Sequence, residues 1–301
     1  MDLFVGASPY CYANTVAMVL DAQAPPVALF ETLTASPFGF QLVGGVVPLF
    51  DPQGWDPDQG TMQALQLLGW TSARETFPDA GAALARLREL CAEGPVFVGP
   101  LEMGLLRHQP GNNRPIGADH FVAVLEVDDD TVTFHDPQGF PWTRLPRAVF
   151  TAAWGADSIA YGQGAFPLRS TFVRAEDVSA EQAVDRLLPL ALDWARGRPT
   201  PYPGGAEGLQ ALAALTKAAL PEPTRSVLTQ FSLRLGARRR TDAAVVLSRY
   251  PDVASTLRSQ ARLLGAAQYQ ATTDDAHGLV CTFEELAELH QALITRLERA
   301  A

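Results

Sequence analysis

The sequence predicts an α+β protein, and three observations carry that reading. A cysteine stands at the head of an apolar helical run, Pro9-Tyr10-Cys11-Tyr12-Ala13-Asn14-Thr15-Val16-Ala17-Met18-Val19-Leu20. Two apolar strands, Asp119-His120-Phe121-Val122-Ala123-Val124-Leu125 and Thr131-Val132-Thr133-Phe134-His135-Asp136-Pro137, flank a hairpin turn at Asp128-Asp129-Asp130. From Ser179 onward the pattern is helical. Residues 1–174 therefore form a sheet-containing domain and residues 175–301 a helical one, with the boundary near 170–178, where strand signals end.

Pro9 disfavours helix before it, and Val16, Val19 and Leu20 share one helical face. Cys11 is thus placed at a helix N-terminus, after the loop Gly6-Ala7-Ser8-Pro9. A second short helix spans 27–34 and ends at Ala35-Ser36-Pro37. Residues 38–48 are apolar and Gly-rich, with a turn at Gly44-Gly45. Residues 51–60 are a surface loop by composition, without the acid spacing or terminal Glu of a calcium loop. Thr61 to Leu68 is a helix whose buried stripe is Met62, Leu65 and Leu67 or Leu68. The next helix, 80–93, puts Leu84, Leu87, Leu90 and Cys91 on one face, which makes Cys91 a core residue.

Gly94-Pro95 stops that helix before the buried strand 96–101. A loop over 105–117 leads into the His120 strand, and Trp142 to Trp154 mixes strand, turn and short helix. Ser179-Ala180-Glu181-Gln182 is a capping box opening a helix to about Arg196, followed by a Pro/Gly-rich break at 197–205. Further helices follow at about 206–219, 223–236, 241–249, 252–270 and 283–300, the last opened by a second capping box, Thr282-Phe283-Glu284-Glu285.

Composition narrows the function. Among 301 residues, 47% are hydrophobic and 19% charged, as in a globular protein. No apolar run is long enough to span a bilayer, and the N-terminus, with Asp2 and no basic residue, does not resemble a secretory signal. Three widely spaced cysteines argue against a disulfide scaffold and suit the reducing cytosol, so a cytoplasmic location is expected. No ligand spacing for a metal is present, and neither a metal nor a cofactor is expected. A net charge of −10 argues against nucleic acid as a partner. Residues 1–170 carry 18 acids and 8 bases, whereas 171–301 carry 15 of each, so the two parts present different surfaces. Arg238-Arg239-Arg240 is the one basic run, either a solvated helix end or a site for an acidic partner.

The chemistry resides in Cys11, His120 and Asp136. A helix N-terminus favours thiolate, and its N–H groups can hold an oxyanion. Pairing about Asp129 brings His120 beside the end of the next strand, near Asp136. A base oriented by a carboxylate and offered to a thiol is a nucleophilic triad. His135, by strand alternation, faces away from Asp136 and is a structural partner.

This order of motifs resembles the papain-like cysteine peptidases, in the compact branch that includes the peptidase domains of bacteriocin exporters. Within that branch it is most similar to the butirosin biosynthesis protein H family, through the Cys11 helix, Ser36-Pro37-Phe38-Gly39-Phe40, and Val96-Phe97-Val98-Gly99-Pro100-Leu101-Glu102 leading to Asp119-His120-Phe121. The resemblance implies a papain-like core, with the cysteine helix packed on an antiparallel sheet. It also implies acyl transfer from a thioester, such as one on an acyl carrier protein, to an amine of a small molecule.

In papain-like enzymes a Gln several residues before the cysteine completes the oxyanion hole. Here Val5 stands six residues before Cys11 and no Gln precedes it, so Asn14 and Gln41 are the candidates. The resemblance places the 38–48 segment near the site, which makes Phe38 and Phe40 substrate-binding candidates. Arg107, His108 and Asn113 are candidates from the loop beside His120. Two alternatives stay open: hydrolysis of a narrow amide or thioester substrate by the same triad, and a binding role on a degenerate peptidase fold. The helical part is a lid, a docking surface or a homodimer interface.

Overall fold

A computed structural model describes residues 3, 5–6, 9–162 and 164–301. Asp2, and Ala7 and Ser8 of the loop expected before the cysteine helix, lie outside the described residues. In chain order the elements are α1 (Cys11–Leu20), α2 (Val27–Leu33), β1 (Gln41–Val43), β2 (Val47–Leu49), α3 (Pro57–Leu67), β3 (Trp70–Glu75), α4 (Ala80–Cys91), β4 (Val96–Glu102), β5 (Asp119–Val127), β6 (Thr131–Asp136), β7 (Phe140–Pro146), α5 (Arg147–Trp154) and β8 (Leu168–Arg174). Helices α6 (Ala180–Arg196), α7 (Gly205–Ala218), α8 (Glu222–Val227), α9 (Leu233–Val246), α10 (Pro251–Thr272) and α11 (Ala276–Ala300) follow. The protein is α+β, with an antiparallel sheet and a helical C-terminal region.

The chain divides into two compact units, and neither is continuous in sequence. One comprises 1–27 and 69–177, the other 28–68 and 178–301. The sequence places a crossing at 174/175, close to the observed 177/178, but the segment 28–68 groups with the helical residues rather than with the sheet.

The first unit is built on a six-stranded sheet of order β3-β8-β4-β5-β6-β7, antiparallel throughout. β4 is buried at every residue, as its apolar run requires. The β5–β6 hairpin turns where expected: the Asp128 carboxylate accepts from the Asp130 and Thr131 N–H groups at 2.8 and 2.6 Å. The core gathers Leu84 and Leu87 of α4, Val122 and Val124 of β5, Phe134 of β6, and Phe150 and Trp154 of α5. Cys91 packs against this core while only partly buried. α1 packs on β5, where Tyr12 meets Phe121 edge-to-face at 6.0 Å.

In the second unit β1 and β2 form a hairpin whose turn glycines, Gly44 and Gly45, take φ of 63° and 73°. Leu42 N–H donates to the Pro203 carbonyl and Gly205 N–H to the Phe40 carbonyl, tying the hairpin to the start of α7. Residues 51–60 are not a surface loop: Asp51, Pro52 and Trp55 are buried, and Trp55 Nε1 donates to the Thr34 carbonyl at 2.7 Å. Met62 is 41% exposed; Ala64, Leu65 and Leu68 form the buried stripe of α3 instead.

The capping box at Ser179 is formed as expected, with both reciprocal bonds. The one at Thr282 is not. Thr282 lies inside α11, which Asp275 caps, and its hydroxyl donates to Gln270 Oε1. The helices expected at 223–236 and 241–249 run together within α9, and a π-helical turn, Leu228–Ser232, joins α8 to α9. Arg238-Arg239-Arg240 is therefore mid-helix, and Arg239 and Arg240 point inward. Arg239 bonds Glu31 and Asp51 at 2.8 and 3.0 Å, and Arg240 donates to the Gly39 carbonyl at 2.7 Å. Two of the three arginines thus hold the unit together and are not available to a partner.

Candidate active site

The half-buried Cys11 is the first residue of α1. Tyr10 before it is buried and takes φ 96°, ψ 45°, a backbone uncommon outside glycine and concentrated at functional sites. This abrupt entry starts the helix at once. Asn14 N–H donates to the Tyr10 carbonyl at 2.9 Å, and the Thr15 hydroxyl to the Cys11 carbonyl at 2.7 Å. The positive end of the helix dipole is thereby set at the thiol.

His120 is the second residue of β5 and is 1% exposed. The β5–β6 register, with Ala123 opposite His135, carries it level with the turn that follows β6. Its Nε2 lies 2.8 Å from Asp136 Oδ1, and its ring also hydrogen-bonds the Cys11 side chain. With Nε2 on the carboxylate, Nδ1 is the nitrogen left for the thiol. The expected trio of Cys11, His120 and Asp136 is thus one hydrogen-bonded chain.

Its electrostatics are self-consistent. Burial by itself disfavours a charged His120, but the Asp136 charge and hydrogen bond, with those of Cys11, outweigh it and lift the imidazolium to about 10. Burial likewise opposes ionisation of Asp136. The His120 charge, hydrogen bonds from His108 and His120, and the Gln138 N–H hold its carboxyl far below the usual range. The arrangement suits a carboxylate–imidazolium–thiolate line.

Asp136 has more partners than the sequence suggested. His108 Nε2 lies 2.7 Å and Gln109 Nε2 2.8 Å from Oδ2, and Gln138 N–H lies 2.7 Å from Oδ1. The Gln138 contact closes a turn at Asp136-Pro137-Gln138-Gly139, a local pattern that favours turns. The His108 and Gln109 contacts come from a loop 28 and 27 residues away in sequence, and no local pattern marks them. The base of that loop is held by Glu102, wholly buried, which accepts from the Gly104, Ile116 and Gly117 N–H groups and from Ser158.

The other candidates divide. Asn14 is buried one helical turn from Cys11, on a side chain directed toward the helix N-terminus. Gln41 lies in the other unit with its amide engaged, Nε2 on Asp51 at 2.5 Å and Oε1 on the Gly54 N–H, so it is not a free oxyanion donor. Phe38 and Phe40 are 0% exposed in that same unit and offer no surface to a substrate. Phe40 instead packs on Phe50 at 5.1 Å. His108 is taken up by Asp136 and is not a substrate ligand. Arg107 and Asn113 are exposed on the loop. His135 accepts from Trp142 N–H at 3.0 Å and meets that ring edge-to-face, a structural role. Among the described residues no three His, Cys, Asp or Glu side chains are grouped as a metal site, and no helix is long and apolar enough to cross a membrane.

Residues 199–298 match the family model of the YobF C-terminal domain. The chain as a whole is similar to the uncharacterized protein YobF of Bacillus subtilis (strain 168), with 28% identity over 300 residues and 96% of each chain covered. The matched domain runs from the break before α7 through nearly all of α11.

Proposed function

We propose that the protein is a papain-like, cysteine-dependent enzyme that forms an acyl-enzyme on Cys11. The observation that carries this is the continuous hydrogen-bonded line Cys11–His120–Asp136, with Cys11 opening a helix. The thiolate attacks the substrate carbonyl, and the His120 imidazolium delivers its proton to the leaving group. A neutral His120 then draws a proton from the incoming amine or water, which releases the acyl group from sulfur. Asp136 holds the imidazole in one tautomer throughout.

An acyl thioester of a small molecule or of a carrier protein is the donor, and an amine the acceptor. Gln41 is engaged elsewhere, so the oxyanion rests on the α1 N-terminus and Asn14. That modest stabilisation suits a thioester better than an amide. Hydrolysis is the competing outcome of the same intermediate.

The test is to mix the protein with an acyl-N-acetylcysteamine thioester and follow its intact mass, with and without added amines. An acyl adduct on Cys11, absent from Cys11→Ala and discharged faster by amine than by water, is expected. Release by water at a rate no amine alters would make the enzyme a hydrolase. Absence of any adduct across a panel of acyl groups would overturn the enzymatic reading.

A further inference from the structure

Asp136 is approached by four N–H groups, two on each oxygen: His120 and Gln138 on Oδ1, His108 and Gln109 on Oδ2. A carboxylate has about four acceptor positions, so all are taken and none is left for a proton. His108 contributes the shortest of the side-chain contacts, 2.7 Å. Its ring is 9% exposed and lies between Phe134 and Phe140, edge-to-face with each at 5.2 and 5.3 Å. Its other nitrogen, Nδ1, is buried with no hydrogen-bond partner. Leaving a buried ring nitrogen unpaired is unfavourable, so the bond on Nε2 has to offset it.

We propose that His108 is a positioning residue for the triad. Its Nε2–H pins Asp136 Oδ2 so that Oδ1 stays directed at His120, which turns Nδ1 of His120 toward Cys11. Two imidazoles then share one carboxylate, one offered to the thiol and one locked between two phenylalanines. The aromatic pocket fixes where the His108 ring sits, and with Nδ1 buried without a partner it is Nε2–H that donates to Asp136. No proton leaves His108 in this role. It keeps Asp136 anionic and immobile while His120 cycles.

The role rests on the triad reading above, and the experiment separates the two. His108→Phe keeps an aromatic ring between Phe134 and Phe140 but removes the N–H. His108→Gln keeps an amide N–H within reach of Oδ2 but removes the ring. Two readouts are taken on each variant: the pH profile of Cys11 alkylation by iodoacetamide, and the ¹⁵N and low-field proton signals of the His120 ring by NMR. With Oδ2 no longer pinned, Asp136 turns away from His120, so His108→Phe is expected to lower the Cys11 rate at pH 6 about tenfold and to move the His120 titration down by about one unit. The His120 Nε2–H signal shifts upfield, and His108→Gln stays within about threefold of the wild type in rate. The reverse order, with the Phe variant like wild type and the Gln variant impaired, would show that His108 only packs and would overturn the proposal. If wild-type Cys11 reacts as an ordinary thiol the triad reading fails, and the His120 signals alone then decide: an unchanged Nε2–H in His108→Phe overturns the positioning role.

Discussion

His120 Nε2 stands 2.8 Å from Asp136 Oδ1 with both side chains out of water, one at 1% and the other at 0% exposure. An asparagine at 136 keeps the shape but offers a single acceptor oxygen and an amide N–H, which must face one of the donors now satisfied. Asp136→Asn is expected to slow Cys11 alkylation at pH 6 by about two orders of magnitude or more, because the imidazole loses both its tautomer control and its counter-charge. Competitive iodoacetamide labelling with mass spectrometry measures it. Equal rates in the two proteins would mean that Asp136 plays no part in activating the thiol.

The raised His120 pKa is also a statement about stability. The imidazolium titrates near 10 in the folded protein against 6.5 for the free side chain. A folded pKa above the unfolded one gives stability that is fully present below about 6.5 and is lost as pH rises through about 10. Relative to His120→Gln, the wild type should therefore hold its largest advantage near pH 6 and lose it progressively toward pH 10. Urea denaturation of both proteins at pH 6, 8 and 10 tests the trend, and an advantage that grows with pH would contradict the charge assignment.

The three cysteines should separate in one labelling experiment. Burial, with Glu126 nearby, pushes the Cys91 thiol up to about 12, and its Sγ lies 3.8 Å from the Val124 carbonyl. Cys281 is exposed on α11. At pH 7 the expected order is Cys11 fastest, Cys281 at the pace of an ordinary thiol, and Cys91 silent until denaturant is added. Rapid labelling of Cys91 in the native protein would show that α4 opens locally, and a Cys281 faster than Cys11 would place the activated thiol elsewhere.

The geometry of the candidate site was largely legible because its parts are local. Pro9 before an apolar run, a turn of three aspartates and Asp-Pro-Gln-Gly after a strand each carry their own conformational instruction. Strand β3 gave no such signal. β3 is an edge strand, and of its six residues only Trp70 is buried, so the alternation that marks a half-buried strand is missing. The fate of 28–68 was not legible for another reason. Its allegiance is set by pairings distant in sequence: Phe40, Leu42 and Phe50 share a core with Leu209, Leu212 and Leu264, and Arg239 meets Glu31 and Asp51, 208 and 188 residues away. Read locally, Asp51 begins a polar loop and Arg239 sits in a basic run. Only their pairing makes both into core residues, and the apolar core around Phe40, Leu42 and Phe50 takes up the segment expected to carry Phe38, Phe40 and Gln41 to the substrate.

That pairing yields the last expectation. Arg239 is 3% exposed, lies 5.4 Å from the Trp55 ring and pairs with two buried carboxylates. Burial already pushes Asp51 above its ordinary value, and the Arg239 charge is the strongest influence opposing it. Arg239→Met fills similar volume without the charge. The variant is expected to lose about 3–5 kcal/mol in urea denaturation at pH 7, the usual consequence of leaving buried charge uncompensated. Without Arg239 the buried Asp51 carboxylate takes up a proton more readily, so the deficit should shrink as pH falls toward 4. Salt up to 1 M should hardly change the deficit, since buried pairs are little screened. A deficit under about 1 kcal/mol, or one independent of pH, would instead place this ion pair with exposed ones, which contribute little.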